Sequence, residues 1–468
     1  MVAPFKSTGI SSPSSKKEGN LGISFSALSR ALVLRMAIMC QVYNCRLNVR
    51  NFALPDVPNS KTMLVTGYGD ISRRYTGVDF PNIGTPEDLL TERVLQNQRL
   101  LAHRHKISLI GDDGGWSQNG GTQFHPSPAY VPALTGALFT AAHGYAGPGT
   151  GVGNNVYSIG TYGQWQSSTW PATQAGFWAA SNAWESWFEA NSPTTERFVY
   201  LIDESSDYSQ TQQWANWMAT NPGVGVNLKS MATIPAPNAV ASVPSLDIPT
   251  SSFSAGLTST WQSAVTTIES TAGHEYYMYN GPRPGEGSSC TECDGTDLRE
   301  REWGAYKKGV ARWFFWEATY YDNYQAGGTD TDLFNVAQTF GTPNPAFNAD
   351  YGLNGYNYSN GDGVLMYPGT DAKFPADSYG ITGPIASLRL KHWRRGVQDG
   401  DYLALAAAID PAAVAALVQQ MVPKAMWELT VTDPKDPTYY DNVGPSWSSN
   451  PDDWEAARLA LAHIIDGQ

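Results

Sequence analysis

Cysteine is scarce in this chain: Cys40, Cys45, Cys290 and Cys293 are the only 4 in 468 residues. That is too few to staple a disulfide-framework protein. Cys290-Thr-Glu-Cys293 has CxxC spacing in a Gly/Ser loop, with no second pair to complete a metal set. It therefore reads as a local disulfide or two loop thiols rather than a zinc site. Charge is also sparse. Asp, Glu, Lys and Arg make up 16% of residues, no Lys/Arg block stands out, and the net charge is −13. Nucleic acid and anionic membrane surfaces are poor partners for such a chain.

Long apolar runs are missing too. Ile23 to Cys40 is the nearest approach, and Arg30 and Arg35 interrupt it. A membrane span needs roughly 20 apolar residues, and as a signal peptide this stretch would be late and broken. Secretion is compatible with the sequence but not indicated by it. Familiar catalytic signatures are absent. His105 and His125 belong to no HxH or HExxH pattern, and there is no G-x-S-x-G elbow. The G-x-G runs at Gly149-Thr-Gly151-Val-Gly153 and Gly361-Asp-Gly363 lack the strand–turn–helix setting of a dinucleotide site and read as turns. No metal and no cofactor are expected.

What the chain does have is aromatics. Trp (16), Tyr (24) and Phe bring them to 12%, alongside 45 Gly and 30 Pro. This composition suits a loop-rich globular enzyme with aromatic clefts. Residues 1–37 form an atypical start, Ser-, Lys- and Gly-rich to residue 20 and expected to be disordered there. Residues 38–60 read as the end of a β-domain and a Pro-containing linker. From 61 to 468 a β/α rhythm sets in. Strands are expected at Met63–Gly67, Lys106–Gly111, Glu196–Ile202, Val226–Thr233, Val243–Ile248, Glu275–Asn280 and Ala311–Trp316. Helices are expected at Glu87–His105, 173–190, Gln210–Ala219, Leu257–Ser270, Leu298–Val310, Pro384–Ala408 and Asp452–Ile465. The stretch from Asp112 to Pro171, with His125, Trp116, Trp165 and Trp170, reads as loops around a cleft. Phe177, Trp178, Trp184, Trp187 and Phe188 form a broad helix face that reads as core packing. This alternation indicates an α/β parallel architecture, best a (β/α)8 barrel of the TIM type with a remnant of an N-terminal β-domain.

Strands of such a barrel carry functional groups at their C-terminal ends. Here those ends offer Asp112, Asp113, Asp203, Glu204, Asp247, Tyr279, Asn280, Trp316 and Glu317. The Phe198-Val-Tyr-Leu-Ile202 run ending on Asp203-Glu204 is the sharpest, although it could simply meet solvent and cap the next helix. Asp399 and Asp401 read as a solvated helix face. Carboxylates beside Trp and Tyr point to glycoside chemistry, with aromatic faces for sugar rings and carboxyl groups for acid/base work. Adjacent carboxylates fit substrate assistance better than a nucleophile and an acid on opposite sides of the anomeric carbon. In that mechanism the sugar's 2-acetamido oxygen attacks, Asp203 holds the acetamido N–H, and Glu204 is the acid/base. Tyr279, Asn280, Trp316, Asp112 and Asp247 are the candidate substrate-binding residues.

Three stretches resemble glycoside hydrolase family 123, the β-N-acetylgalactosaminidase-like family. They are Tyr200-Leu-Ile-Asp-Glu204, Arg312-Trp-Phe-Phe-Trp316, and Gly361-Asp-Gly-Val-Leu-Met-Tyr-Pro-Gly369 followed by Pro384 to Tyr402. The resemblance runs from about residue 45 onward. It implies a (β/α)8 barrel, retention of configuration, substrate-assisted hydrolysis, and the roles above for Asp203 and Glu204. It also implies a full N-terminal β-sandwich, of which only a last strand near Leu47 to Pro55 is matched. Two other readings stay open. One is a glycosidase of the same fold acting on a sugar without the acetamido group, with Asp112, Asp113 or Asp247 as nucleophile about 5–5.5 Å from Glu204. The other is a non-catalytic carbohydrate-binding barrel.

Overall fold

Eight short strands alternate with helices. They are β1 (Met63–Val65), β2 (Ser108–Ile110), β3 (Val156–Ile159), β4 (Glu196–Ile202), β5 (Lys229–Thr233), β6 (Ile248–Thr250), β7 (Tyr277–Tyr279) and β8 (Arg312–Phe315). In the computed structural model their order is β2-β1-β8-β7-β6-β5-β4-β3, every ladder parallel. Consecutive strands thus stand side by side around a nearly closed (β/α)8 barrel, the ladder interrupted between β2 and β3. The structure describes residues 50–59, 62–113, 124–161, 173–254, 256–280, 284–291, 293–310, 312–323, 329–336, 361, 363–430 and 445–467. Residues 1–37, most of 38–60, Cys40, Cys45, Trp116, Trp165 and Trp170 lie outside them.

Strand alternation sorts side chains into two layers. Met63, Val65, Ile110, Val156, Phe198, Tyr200, Met231, Ile248, Tyr277 and Phe314 fill the barrel. Leu64, Leu109, Met278, Trp313 and Phe315 face outward into a core shared with the helices. At the barrel floor, Arg312 pairs with Glu196 at 2.6 Å, and the Tyr277 hydroxyl donates to the same carboxylate. The buried Arg312 guanidinium is thereby neutralised in place.

The outer layer contains α1 (Tyr68–Thr76), α2 (Pro86–Arg104), α3 (Gln174–Asn191), α4 (Tyr208–Ala219), α5 (Ala236–Ser242), α6 (Thr258–Ser270) and α7 (Asp297–Lys308). Further helices follow: α8 (Leu388–Ala407), α9 (Pro411–Met421) and α10 (Pro451–Asp466). Several starts follow from local chemistry. Thr85 caps α2 ahead of Pro86, Asp410 caps α9 ahead of Pro411, and Asn450 caps α10 ahead of Pro451. A short polar side chain accepts a free N–H, and proline fills the first position where no N–H is needed. On α3, Phe177, Trp184 and Phe188 are buried, so its aromatic face is core.

The differences from the sequence reading are local. The stretch expected as loops contains β3, whose four residues are too few to show a period among glycines. Its Gly149–Gly153 run is a turn packed backbone on backbone: a Cβ at Gly153 would overlap the Leu134 carbonyl. The expected strand at Val243–Ile248 is instead a turn that follows α5, and β6 begins only at Ile248. Met366–Pro368 pairs antiparallel with Pro384–Ala386, so the helix expected from Pro384 starts at Leu388, capped by Ser387. Cys290 and Cys293 form a disulfide.

Asp399 and Asp401 are not solvated; both are fully buried. Helices α8 and α10 pack on α7, with Trp303, Trp393 and Trp454 buried among them. Asp399 sits between Arg299 of α7, at 2.8 Å, and Arg458 of α10. Burial alone would raise its pKa, but the two guanidinium groups hold it below the usual carboxylate value. Asp401 accepts from Lys106 at 2.6 Å and from the Asn59 backbone, while Phe52 packs edge-on against Tyr402. Residues 52–59 are thereby tied to the same compact unit as the barrel, which runs from Phe52 to Gln468.

Candidate active site

The ladder between β4 and β5 contains an irregularity that sets the geometry of the mouth. Tyr200 pairs with Met231, but Ile202 pairs with Ala232, so β4 carries one extra residue. Such a bulge shifts all later side chains to the other face. Leu201 and Ile202 both pack outward, against the helices. Asp203 then returns to the inward row, above Tyr200 and opposite Thr233. Its Oδ1 accepts the Tyr200 hydroxyl at 2.7 Å and the Thr233 hydroxyl at 2.9 Å.

Glu204 follows in the left-handed region, at φ 45°. This conformation is costly for a residue with a Cβ, and such strain persists where the surroundings enforce it. Here the Glu204 N–H donates to Thr233 Oγ1, and Tyr279 donates to Glu204 Oε1 at 2.5 Å. Thr233 therefore touches both carboxylate residues: it accepts from one backbone and donates to the other side chain. Burial, with the Glu204 and Asp203 carboxylates beside it, pushes the Tyr279 phenol well above its usual value. Burial and Asp203 do the same to Tyr200. Both phenols stay protonated and act as donors. Among the described residues no group donates to Asp203 Oδ2 or Glu204 Oε2. Each carboxylate has one anchored oxygen and one open one, and both side chains are solvent-exposed.

Asn280 and Trp316 join them from the next strands. Asn280, also at positive φ, accepts the Trp316 N–H at 2.8 Å, which links the tops of β7 and β8. Trp316 and Tyr279 are half-buried over the inner core, and Trp316 lies against Tyr320 with centroids 5.0 Å apart. Asp203, Glu204, Tyr279, Asn280 and Trp316 thus share one mouth.

The remaining candidates are elsewhere. Asp247 precedes β6, and its carboxylate accepts the Ser230 N–H and hydroxyl at 2.7 Å near the start of β5. It belongs to the opposite end of the barrel, because the strand expected to end on it begins after it. Asp112 lies past the end of β2 but is buried and paired with Arg99 of α2 at 2.6 Å. Asp113 accepts from Ser127 N–H and the Tyr157 hydroxyl, and burial raises its pKa to about 6. Glu317 is buried behind Trp316. Burial and the nearby Asp70 and Asp322 carboxylates raise its pKa well above the ordinary value. His105 bonds to the Leu101 carbonyl and His125 to the Pro126 carbonyl. Among the described residues no group of three or more His, Cys, Asp and Glu could hold a metal ion, and no helix is long and apolar enough to cross a membrane. Sequence reasoning missed Tyr200 and Thr233. Alternation alone would place Tyr200 in the row of Ile202, away from Asp203.

No protein-family model matches the chain. Comparison with curated proteins likewise finds no match. Among solved structures, an Ignisphaera aggregans GH53 catalytic domain aligns with 75% of this chain and 99% of that one, at 10% identity and a TM-score of 0.33. A glucosidase from Croceicoccus marinus aligns with 73% and 70%, at 10% identity and a TM-score of 0.29. The fuller overlap covers 90% of this chain and 70% of the other at 13% identity, with a TM-score of 0.50, and it shows that the chain resembles in fold a family 123 glycoside hydrolase from Clostridium perfringens studied for glycolipid glycan hydrolysis.

Proposed function

We propose that the protein is a glycoside hydrolase, specifically a retaining β-N-acetylhexosaminidase of the galactosamine type that uses the substrate's own acetamido group. The observation that carries this reading is the division of labour between adjacent carboxylates: each is anchored through one oxygen and open through the other. The likeness in fold to a family 123 enzyme supports it. A carbohydrate is accordingly the partner, and no cofactor is required.

In the first step the acetamido oxygen attacks the anomeric carbon as the glycosidic C–O bond breaks. Glu204 gives its proton to the leaving oxygen. Asp203 Oδ2 accepts the acetamido N–H, which becomes more acidic as positive charge builds on the oxazolinium. In the second step water attacks the same carbon, the C–O bond of the oxazolinium breaks, and the water's proton passes to Glu204. Two displacements give retention. The rival reading needs a separate nucleophile. Asp247 lies at the far end, and Asp112 is committed to Arg99, which weighs against both.

The test is hydrolysis of paired aryl β-glycosides with and without the 2-acetamido group. Cleavage confined to the acetamido sugars, with a fall of about 10²–10⁴ in Glu204→Gln, is the expected result. Cleavage of a plain hexoside would overturn the acetamido mechanism. Carbohydrate binding without cleavage of any substrate would leave a binding barrel.

A further inference from the structure

At the end of the barrel opposite Asp203 and Glu204, three cations share one place and have no counter-charge. Arg104 is the last residue of α2, where the chain turns toward the start of β2. Its Nη2 donates to the Gly144 carbonyl at 3.0 Å, its guanidinium lies 5.3 Å from the centre of the Tyr145 ring, and its Nε is buried without a hydrogen bond. Lys391 and Arg394 reach the same place from α8, one turn apart on one face of that helix. Lys391 is exposed and Arg394 half-buried, and among the described residues neither makes a hydrogen bond or an ion pair. Arg104 likewise has no carboxylate at ion-pair distance there. Asp56, which acts on Tyr145 as these cations do, accepts the Gly149 N–H at 3.1 Å and joins no ion pair. We propose that Arg104, Lys391 and Arg394 form a binding site for a tetrahedral oxyanion of the phosphate class, free or as a monoester on a soluble molecule. The site is independent of the glycosidase reading, because no residue of the mouth takes part in it.

A chain of net charge −13 has carboxylates to spare. Elsewhere it uses them to pair buried guanidinium groups, such as Arg99 with Asp112, Arg299 with Asp399 and Arg312 with Glu196. The three cations here are left unpaired although they stand close enough to disturb one another. Burial, then the Arg394 and Arg104 charges, push the Lys391 ammonium below its usual value, and burial does the same to the Arg394 guanidinium. His105 beside them is held neutral, its pKa lowered to about 4 by burial and by the same three charges. The helix dipoles do not account for the arrangement. They favour Arg104 at the C-terminus of α2, but Lys391 stands near the N-terminus of α8, where cations are disfavoured. A bound anion removes the repulsion and supplies the missing acceptors. A phosphate monoester carries about −1.5 to −2 charge at pH 7 and three strong acceptor oxygens. Guanidinium forks match such oxygens two at a time, and the ammonium adds a compact charge at the open side.

The test is calorimetric titration of the full chain with inorganic phosphate and with glycerol phosphate, run on wild type, K391Q and R394Q. Saturable binding to the wild type, weakened about tenfold or more in each variant, is the expected result. Binding of inorganic phosphate alone assigns the free ion, and binding of glycerol phosphate assigns a monoester. Because Lys391 is exposed, K391Q carries the test even if R394Q fails to fold. Thermal melts give a second readout. Phosphate should raise the wild-type Tm more than chloride does at the same ionic strength. In phosphate-free buffer K391Q should melt no lower than wild type, since it loses a repulsion and no partner. Affinity unchanged in the variants overturns the site, and so does a wild type that binds neither probe. Equal shifts from phosphate and chloride would reveal screening of charge alone and would also overturn it. Association with phosphatidic acid vesicles, without binding of either soluble probe, would replace the soluble ligand by a lipid surface and sink the proposal.

Discussion

Asp203 stands opposite Thr233 in the inward row of the barrel, their side chains 2.9 Å apart, because an extra residue in β4 has turned both Leu201 and Ile202 outward. The mouth owes its paired carboxylates to this one irregularity. A regular β4 would aim Ile202 inward and Asp203 toward the helices.

Thr233 is the shared support. Thr233→Val keeps the shape but removes the hydroxyl that receives the Glu204 N–H and donates to Asp203. Activity on an acetamido aryl glycoside should drop about 10–100-fold, the scale of two lost hydrogen bonds near the reacting atoms. Thr233→Ser should restore most of it. A valine variant with wild-type kcat would show that the bridge does not position the pair.

Asp247 should be dispensable for chemistry. Asp247→Ala removes the acceptor of the Ser230 N–H and hydroxyl near the start of β5. The expected cost is about 1–3 kcal/mol of stability, read by urea denaturation, with kcat per folded molecule within twofold of wild type. A collapse of kcat in folded protein would revive Asp247 as the nucleophile of the rival mechanism.

The buried arginine–aspartate cluster should be the opposite case. Asp399→Asn leaves Arg299 and Arg458 in the interior without their common counter-charge, although Arg299 retains Glu455 at 2.7 Å. Breaking such a cluster should cost roughly 3–5 kcal/mol, separating α10 from α7 and α8. Because the pKa of folded Asp399 is lowered, its contribution is present above the unfolded Asp value of about 3.9 and is lost as pH falls through the lower folded value. The urea midpoint of the variant should be low at pH 7 and approach that of wild type in acid.

Glu300 has the reverse sign. Burial, partly offset by the Gly287 N–H at 2.7 Å, raises its pKa to about 8. The folded protein therefore holds a proton that an unfolded Glu, near 4.3, has lost. Stability associated with this group should decline as pH rises from about 4.3 to 8. Glu300→Gln keeps an acceptor for Gly287 and cannot ionise. Its Tm relative to wild type should rise between pH 5 and pH 9, and a flat difference across that range would refute the assignment.

The β/α rhythm was legible in the residues. Strands buried on both faces read as apolar runs such as Phe198 to Ile202, and helices as longer stretches between them such as Glu87 to His105. The two carboxylates at the end of β4 were visible as well, because a charged pair after an apolar run must lie where a buried strand ends. β3 was not visible, since four residues among glycines have no period to read. Asp247 was misplaced for a related reason: the stretch before it, Val243 to Leu246, is a turn after α5, and only the ladder to β5 shows where β6 starts.

By itself, then, the sequence determined the alternation of elements, the buried strands and the identity of the carboxylate pair, all of which depend on neighbours along the chain. Tertiary structure alone decided which way those side chains face. The bulge opposite Ala232, the Thr233 bridge and the Tyr279 contact across the mouth all join residues brought together by the closing sheet. Side-chain direction in a strand inverts with every single-residue shift of register, and register is fixed by pairing between strands rather than by either strand's own residues.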